Sequence, residues 1–192
     1  MTRLFLTVAV VVVLAMGCSS SVYVNPDEPD SLGGTGIDSQ DVRTVAETMS
    51  RDLVGTSALA GASVKPRIAL LPTINESRFR VDTDIITLQM RDFLNQYAGD
   101  KATFVNRERM AAIEAERNAK RTGAVSSSGE KMLSGVEYFL TGTIKSLSKS
   151  DKGVRSDYLY YSFELIDAES SDVVWSKGYD IKKVDKRSPL YR

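Results

Sequence analysis

Apolar residues recur every three or four positions in three stretches of the chain, which is the spacing that places side chains on one face of a helix. These stretches are residues 41–60, 82–97 and 108–120. Ser39 or Asp41 is suited to cap the start of the first stretch. Its apolar stripe consists of Val42, Val45, Met49, Leu53 and Val54. The pattern therefore predicts three amphipathic helices.

Two kinds of strand pattern lie between and after these helices. A continuous apolar run at 67–72 is typical of a central strand buried on both faces. A second, short strand is predicted at 102–105 and a third at 138–144. Residues 159–165 and 173–181 instead alternate apolar and polar positions, which predicts a hairpin with one face in water. The segment 146–149, Ser-Leu-Ser-Lys, resembles a surface loop.

The order of these elements is helix, strand, helix, strand, helix and then three strands. It predicts a single α/β (α+β) domain built on a mixed β-sheet, with two β–α crossovers followed by a C-terminal antiparallel meander and with helices packed on the sheet. Residues 126–129 are expected to form a flexible serine loop, with a brief helix at 130–133 after it.

The N-terminus has the organisation of a secretory signal. A positively charged start is followed by an apolar run, Leu4–Ala15, and then by Ala-Met-Gly before Cys18. This order resembles the lipobox of bacterial lipoproteins, in which cleavage precedes a cysteine that is then acylated, although Leu14 lies one position further from the cysteine than usual. An uncleaved anchor is the alternative, but residues 4–15 are few for crossing about 30 Å of hydrocarbon.

These features divide the chain into four parts. We expect a signal peptide at 1–17, a lipidated Cys18 with a flexible polar tether at 18–40, a globular domain at 41–184 and a polar tail at 185–192. Ser19 follows the cysteine where many inner-membrane lipoproteins carry Asp, so by the same resemblance the expected location is the outer membrane, facing the periplasm.

Composition narrows the chemistry. The 192 residues include 25 basic and 25 acidic side chains, no histidine and one cysteine. The balanced charge gives no global attraction to nucleic acid. Without histidine or a free thiol, the commonest general base, metal ligand and nucleophile are missing. The expectation is a non-enzymatic protein with no cofactor, no metal and no small-molecule substrate.

Two groups of residues are candidates for a partner interface. Asn75, Arg78, Phe79 and Arg80 follow the first predicted strand, at the sheet edge where open α/β sheets usually present ligand-contacting loops, and arginines beside an aromatic are frequent in interface hot spots. Tyr158 and Tyr160 share the strand face opposite Tyr161 and would display aromatic surface if Tyr161 is in the core. A solvated turn and tyrosines covered by a helix are the structural alternatives.

Together, these features resemble the LpoB-type activators of penicillin-binding proteins, which are related to the CsgG/TolB N-terminal-like α/β domain. The resemblance is carried by the lipobox, the polar tether, the strand 67–72 with its Asn/Arg loop, the segment 135–142 and the hairpin around Asp167–Ser176. It implies an outer-membrane lipoprotein that binds and allosterically activates a bifunctional, class A peptidoglycan synthase. Two features depart from the family: the tether of about 22 residues cannot exceed roughly 80 Å, and the usual Thr-Gly-Glu turn is Ser170-Ser171-Asp172.

A second interpretation belongs to a different class. The same arrangement of elements resembles CsgG-like lipoproteins, which assemble into outer-membrane secretion complexes. That function requires amphipathic membrane-inserted hairpins, and the sequence shows no inserted segment of that kind.

Overall fold

The computed structural model describes residues 21–30, 33–105, 110–123 and 135–186. In chain order, the elements are α1 Ser39–Val54, α2 Ser57–Ala60, β1 Arg67–Leu70, β2 Ile74–Asn75, α3 Thr83–Ala98, β3 Thr103–Val105, α4 Met110–Arg121, β4 Tyr138–Asp151, β5 Val154–Asp167 and β6 Val173–Lys186. Cys18, the serine loop, the brief helix at 130–133 and the last six residues of the predicted tail lie outside the described residues.

The strands form one mixed sheet in the order β3-β1-β4-β5-β6, and β2 pairs with β4. β1 is parallel to both β3 and β4, and β2 is parallel to β4. β4, β5 and β6 are antiparallel neighbours. The predicted mixed sheet, its two β–α crossovers and its C-terminal meander are confirmed.

α1 and α3 pack on one face of this sheet and enclose the core. The helices contribute the predicted stripes, and β5 contributes alternate residues from Leu159 to Leu165. In β1, consecutive residues Ile68 and Ala69 are both fully buried, as expected for a strand covered on both faces. The strand ends at Leu70, two residues before Pro72, which has no backbone N–H to continue a ladder.

The sequence prediction was wrong for residues 146–149, which lie inside β4 rather than in a loop. β4 and β5 pair over their full 14 residues, and the turn between them is Lys152-Gly153. Both turn residues have positive φ, 46° and 80°, which is what a type I′ hairpin turn requires. Serine and lysine have no strong preference for strands, but pairing with β5 satisfies their backbone groups.

The first helix also differs from its prediction. Asp38 is the N-cap, and it forms a capping box with Asp41 in which each side chain accepts a hydrogen bond from the other residue's backbone N–H. The helix ends at Val54, where Gly55 and Thr56 interrupt it before the single turn of α2. In α3 the N-cap is Asp82, whose side chain accepts a hydrogen bond from the N–H of Asp84.

Gly142 in β4 is in close contact with the core. A Cβ atom at this position would lie 2.7 Å from Cδ1 of Phe163, whose ring is buried on the helix-covered face of β5. We expect Gly142→Ala to lower the free energy of unfolding by about 2 kcal/mol, because the ring has no space to move without straining the core. Urea denaturation measures this change.

Gly135→Ala is the matched control, since nothing lies within 4 Å of a Cβ at that position. Equal stabilities of the two variants would contradict the close packing around Phe163.

Candidate functional site

A fully buried carboxylate, Asp157, organises the end of the sheet that carries the β4–β5 turn. Its oxygens accept hydrogen bonds from the hydroxyls of Thr35 and Ser148 and from Arg155 Nε at 2.7 Å. Arg78 Nη1 lies 3.5 Å from Asp157 Oδ1 and is the fourth partner of this carboxylate. Burial alone would raise the pKa of Asp157, but these hydrogen bonds outweigh it and hold the pKa below its ordinary value. The buried carboxylate is therefore ionised and satisfied.

Lys183 is the cross-strand neighbour of Asp157 and forms a second network beside it. Its Nζ donates to Asp38 at 2.8 Å, to Asp41 at 2.6 Å and to the carbonyl of Gly36 at 2.9 Å. Burial raises the pKa of Asp41. Asp38 is less buried, and its hydrogen bonds with Lys183 and Asp41 lower its pKa by more than burial raises it. The pKa of Lys183 is raised by the two carboxylates despite its own burial.

Both networks attach the same segment, residues 33–38, which we call the N-terminal strap. Thr35 is buried against Asp157, Gly36 accepts from Lys183, and Ile37 packs against the core. The folded domain therefore begins upstream of residue 41, and the last residues of the expected tether are part of it.

Sequence reasoning missed Thr35, Asp157 and Lys183. A signal was present, because Asp157 continues the alternation of buried residues 159, 161, 163 and 165, and Lys183 continues that of Trp175, Tyr179 and Ile181. A charged residue at a core-facing position needs a partner. The sequence does not say which partner it finds.

The loop after β2 uses its predicted interface residues mainly for its own structure. Asn75 donates to the carbonyl of Phe79 at 2.8 Å and accepts from the N–H of Ser77 at 2.9 Å. Phe79 packs against the core, and Arg78 reaches Asp157. Arg80 is exposed. An open cavity of about 530 Å³ is lined by this loop, and a second of about 480 Å³ lies between Arg78 and the strap.

Tyr158 and Tyr160 lie on the face of the sheet opposite α1 and α3, as the alternation predicts. Tyr158 Oη donates to Asp180 at 2.9 Å, which raises the pKa of Tyr158. Tyr160 is 37% exposed, and its ring covers Gly178, where a Cβ atom would lie 2.6 Å from Cε2 of the ring. The side chain of Leu147, which pairs with Tyr158 across the strands, is 71% exposed.

We call this surface the open face; it comprises the outward residues of the meander around Leu147, Tyr158, Tyr160 and Val184. The two predicted interface groups therefore lie on different surfaces. Asn75 pairs with Ile144, on the helix-covered side of β4, whereas Tyr160 pairs with Lys145 on the open side. They are separate candidates rather than one contact surface.

The described ranges contain no group of three or more Cys, His, Asp or Glu side chains arranged to hold a metal ion. None of the helices within those ranges is long and apolar enough to cross a membrane. The chemistry visible in this part of the chain is that of buried ion pairs and of exposed aromatic and aliphatic surface.

Comparison with known proteins shows a match to one family. The sequence model for the peptidoglycan-synthase activator LpoB matches residues 41–181. The solved C-terminal domain of LpoB from Escherichia coli is 13% identical, and the alignment covers 73% of this chain and 98% of that domain with a TM-score of 0.45. The corresponding domain from Salmonella enterica is 12% identical, with the same coverage of both chains and a TM-score of 0.45. The NMR structure of E. coli LpoB is 12% identical, and the alignment covers 90% of this chain and 86% of that chain with a TM-score of 0.42. No curated protein sequence matches.

Proposed function

This chain belongs to the LpoB family of peptidoglycan-synthase activators, and from that membership we propose that it is an outer-membrane lipoprotein that binds a class A penicillin-binding protein and stimulates it. The family match over residues 41–181, which includes nearly all of the described folded domain, carries the proposal. Cys18 is proposed to hold the lipid, and the domain faces the periplasm.

The proposed role is regulatory and non-catalytic. An activator shifts a synthase toward its active conformation only if it binds that conformation more tightly than the inactive one. Such a protein needs a rigid surface complementary to one state of its partner. Asp157 and Lys183 fasten the strap to the meander and so support a surface of that kind.

We propose the open face as the part of the domain that contacts the synthase. Tyrosines are enriched among the residues that carry most of the energy of protein interfaces. Tyr158 is oriented by its bond to Asp180 and Tyr160 by its position over Gly178, so little side-chain freedom would be lost on binding. The exposed side chains of Leu147 and Val184 add apolar area.

The function is tested by adding the purified protein to the class A penicillin-binding protein of the organism that encodes it. Glycan-strand polymerisation is followed with labelled lipid-linked precursor, and binding is measured separately by biolayer interferometry. We expect binding and a higher polymerisation rate. An unchanged rate without measurable binding would contradict the proposed function.

The double variant Tyr158→Ser with Tyr160→Ser tests the proposed contact surface. Because hot-spot tyrosines commonly contribute more than about 1 kcal/mol each, the apparent dissociation constant for the synthase is expected to rise at least about tenfold. The same assays measure the change.

Tyr97→Ser is the control for this variant, because Tyr97 lies on α3, on the other side of the sheet, where it stacks on Phe93. Thermal melting establishes that both proteins remain folded. Full activation by the folded double variant would exclude the open face as the contact surface while leaving the activator function intact.

A further inference from the structure

Charge is distributed unevenly along the meander. Residues 145–158 and 180–186, which surround the β4–β5 turn, carry seven basic and four acidic side chains. Residues 138–144 and 159–179, at the other end, carry one basic and four acidic side chains. We call these the basic end and the acidic end; their net charges are +3 and −3, respectively. The chain as a whole is neutral, so the asymmetry arises from how the fold arranges it.

Two cations outside the meander, Arg78 and Arg80, also lie around the basic end, where Asp38 and Asp41 bind Lys183. The cavity next to the strap is lined by two arginines and one carboxylate, Arg78, Arg155 and Asp185, and by Gly153 of the β4–β5 turn. Arg80 lines the neighbouring cavity. Arg155 has a buried Nη2 with no hydrogen-bond partner, while its Nε is bound to Asp157. These cavities are open and polar, as expected for a surface that meets small anionic groups rather than an apolar ligand.

The chain enters the folded domain at this same end. Gly33 and Gly34 line the cavity with Gly153, and Thr35 binds Asp157. Further upstream, the carbonyl of Pro26 accepts a hydrogen bond from Ser39 at 3.0 Å, at the start of α1, and Asp27 pairs with Arg43. The segment that leads back to Cys18 therefore leaves the domain beside the basic end.

Little chain remains between this exit and the proposed lipid. Pro26 is eight positions after Cys18, and the chain between them spans at most about 29 Å when fully extended. Even from Gly33 the limit is about 54 Å. A strand of 14 residues is itself about 46 Å long. The domain is thus held at a distance from the membrane comparable to its own length.

From these observations we infer that the basic end of the meander faces the membrane in which Cys18 is anchored and binds the phosphate groups of anionic phospholipids. The acidic end, with the turn after β5, then points away from the membrane. This orientation rests on the lipid anchor assigned under the proposed function, but not on synthase activation. The short tether keeps the basic end close to the membrane. This proximity matters because attraction between a basic surface and anionic headgroups is effective only near the membrane.

The orientation is tested on the full lipidated protein in vesicles of phosphatidylethanolamine and phosphatidylglycerol with an acceptor dye on a fraction of the headgroups. Acylation occupies Cys18, so Ser150→Cys and Ser170→Cys each introduce a single free thiol for a donor dye, one at the basic end and one at the acidic end. Since about 40 Å of strand separates the two positions, energy transfer from position 150 is expected to exceed that from position 170 at least about twofold. Equal transfer, or greater transfer from position 170, would overturn the orientation.

The headgroup contact has its own test in the Ser150→Cys background. Lys182→Gln with Lys186→Gln removes two positive charges from the basic end and is expected to lower the transfer from position 150, as is raising the salt to about 0.5 M. The control, Glu169→Gln with Asp172→Asn, changes two charges at the acidic end and leaves the transfer unaltered. Transfer that resists both the lysine variant and the salt would overturn the phospholipid contact.

These results are separable from the proposed function. Mass spectrometry of the purified protein reports the lipid on Cys18 before any vesicle is made. Activation of the synthase is measured without vesicles and does not depend on how the domain is oriented.

Discussion

Asp157→Ala is expected to lower the free energy of unfolding by about 3 kcal/mol, toward the lower end of the range for breaking a buried ion pair. The substitution leaves Thr35 and Ser148 without their acceptor and two guanidinium groups without their counter-charge. Arg155 and Arg78 are each more than one third exposed and can turn toward water, which limits the loss. For a chain of this size, the melting temperature falls by about 6–12 °C.

The dependence of the free energy of unfolding on pH below neutrality tests whether the charge of Asp157 causes this loss. The pKa of Asp157 is lower in the folded state than its ordinary value. Its contribution is therefore fully present above about pH 5 and is lost progressively as the pH falls below about 4, because the unfolded chain binds a proton at this carboxylate before the folded protein does. The difference in stability between the natural chain and Asp157→Asn should shrink over that interval. A difference that stays constant down to about pH 3 would show that the charge of Asp157 contributes nothing.

Lys183→Met is the second large effect, with an expected loss of about 3 kcal/mol because it leaves Asp41, which is 5% exposed, without its cation. The aliphatic side chain preserves the packing of the lysine stem. Chemical denaturation at neutral pH measures the loss. Lys182→Met is the control, since that neighbouring residue points to the open face, and its effect should stay below about 0.5 kcal/mol.

The deficit of this variant also narrows toward acid pH, but for a different reason. Burial already raises the pKa of Asp41 in the folded protein, and removing Lys183 raises it further. The folded variant then binds a proton more readily than its unfolded chain, so its deficit is largest near pH 7 and narrows as the pH approaches about 4. Lys183→Met with Asp41→Asn should recover part of the loss, because the more buried of the two carboxylates no longer carries an unpaired charge. A deficit independent of pH and not relieved by the second substitution would contradict the ion-pair explanation.

These two residues bear on function because they hold the strap in place. Thr35 and Asp157 are 122 positions apart in the chain, and their bond determines where the tether leaves the domain. If the lipid is on Cys18, weakening either network lengthens the free tether and loosens the orientation of the domain.

Much of the fold was predictable from local pattern alone. The stripes of α1 and α3 and the alternation in β5 report directly which face is buried, since each period fixes the direction of successive side chains. The same alternation placed Tyr158 and Tyr160 on the face opposite Tyr161. The prediction was wrong where the residues have only a weak preference for one secondary structure. Residues 146–149 form a strand only because β5 offers them backbone partners. The two residues of β2 pair with β4 only because the chain passes beside that strand.

The sequence by itself determined that this protein is a mixed α/β domain with one sheet face in water, because hydrophobic periodicity is a local property of the chain. It also restricted the chemistry, because residues that are missing from the chain, such as histidine, cannot be supplied by folding. Only the tertiary structure decided that Asp157 and Lys183 are paired rather than solvated, that the two candidate interfaces lie on different surfaces, and that the strap leaves beside the basic end. Each of these depends on residues far apart in sequence being brought within a few ångströms, and neither periodicity nor composition contains that information.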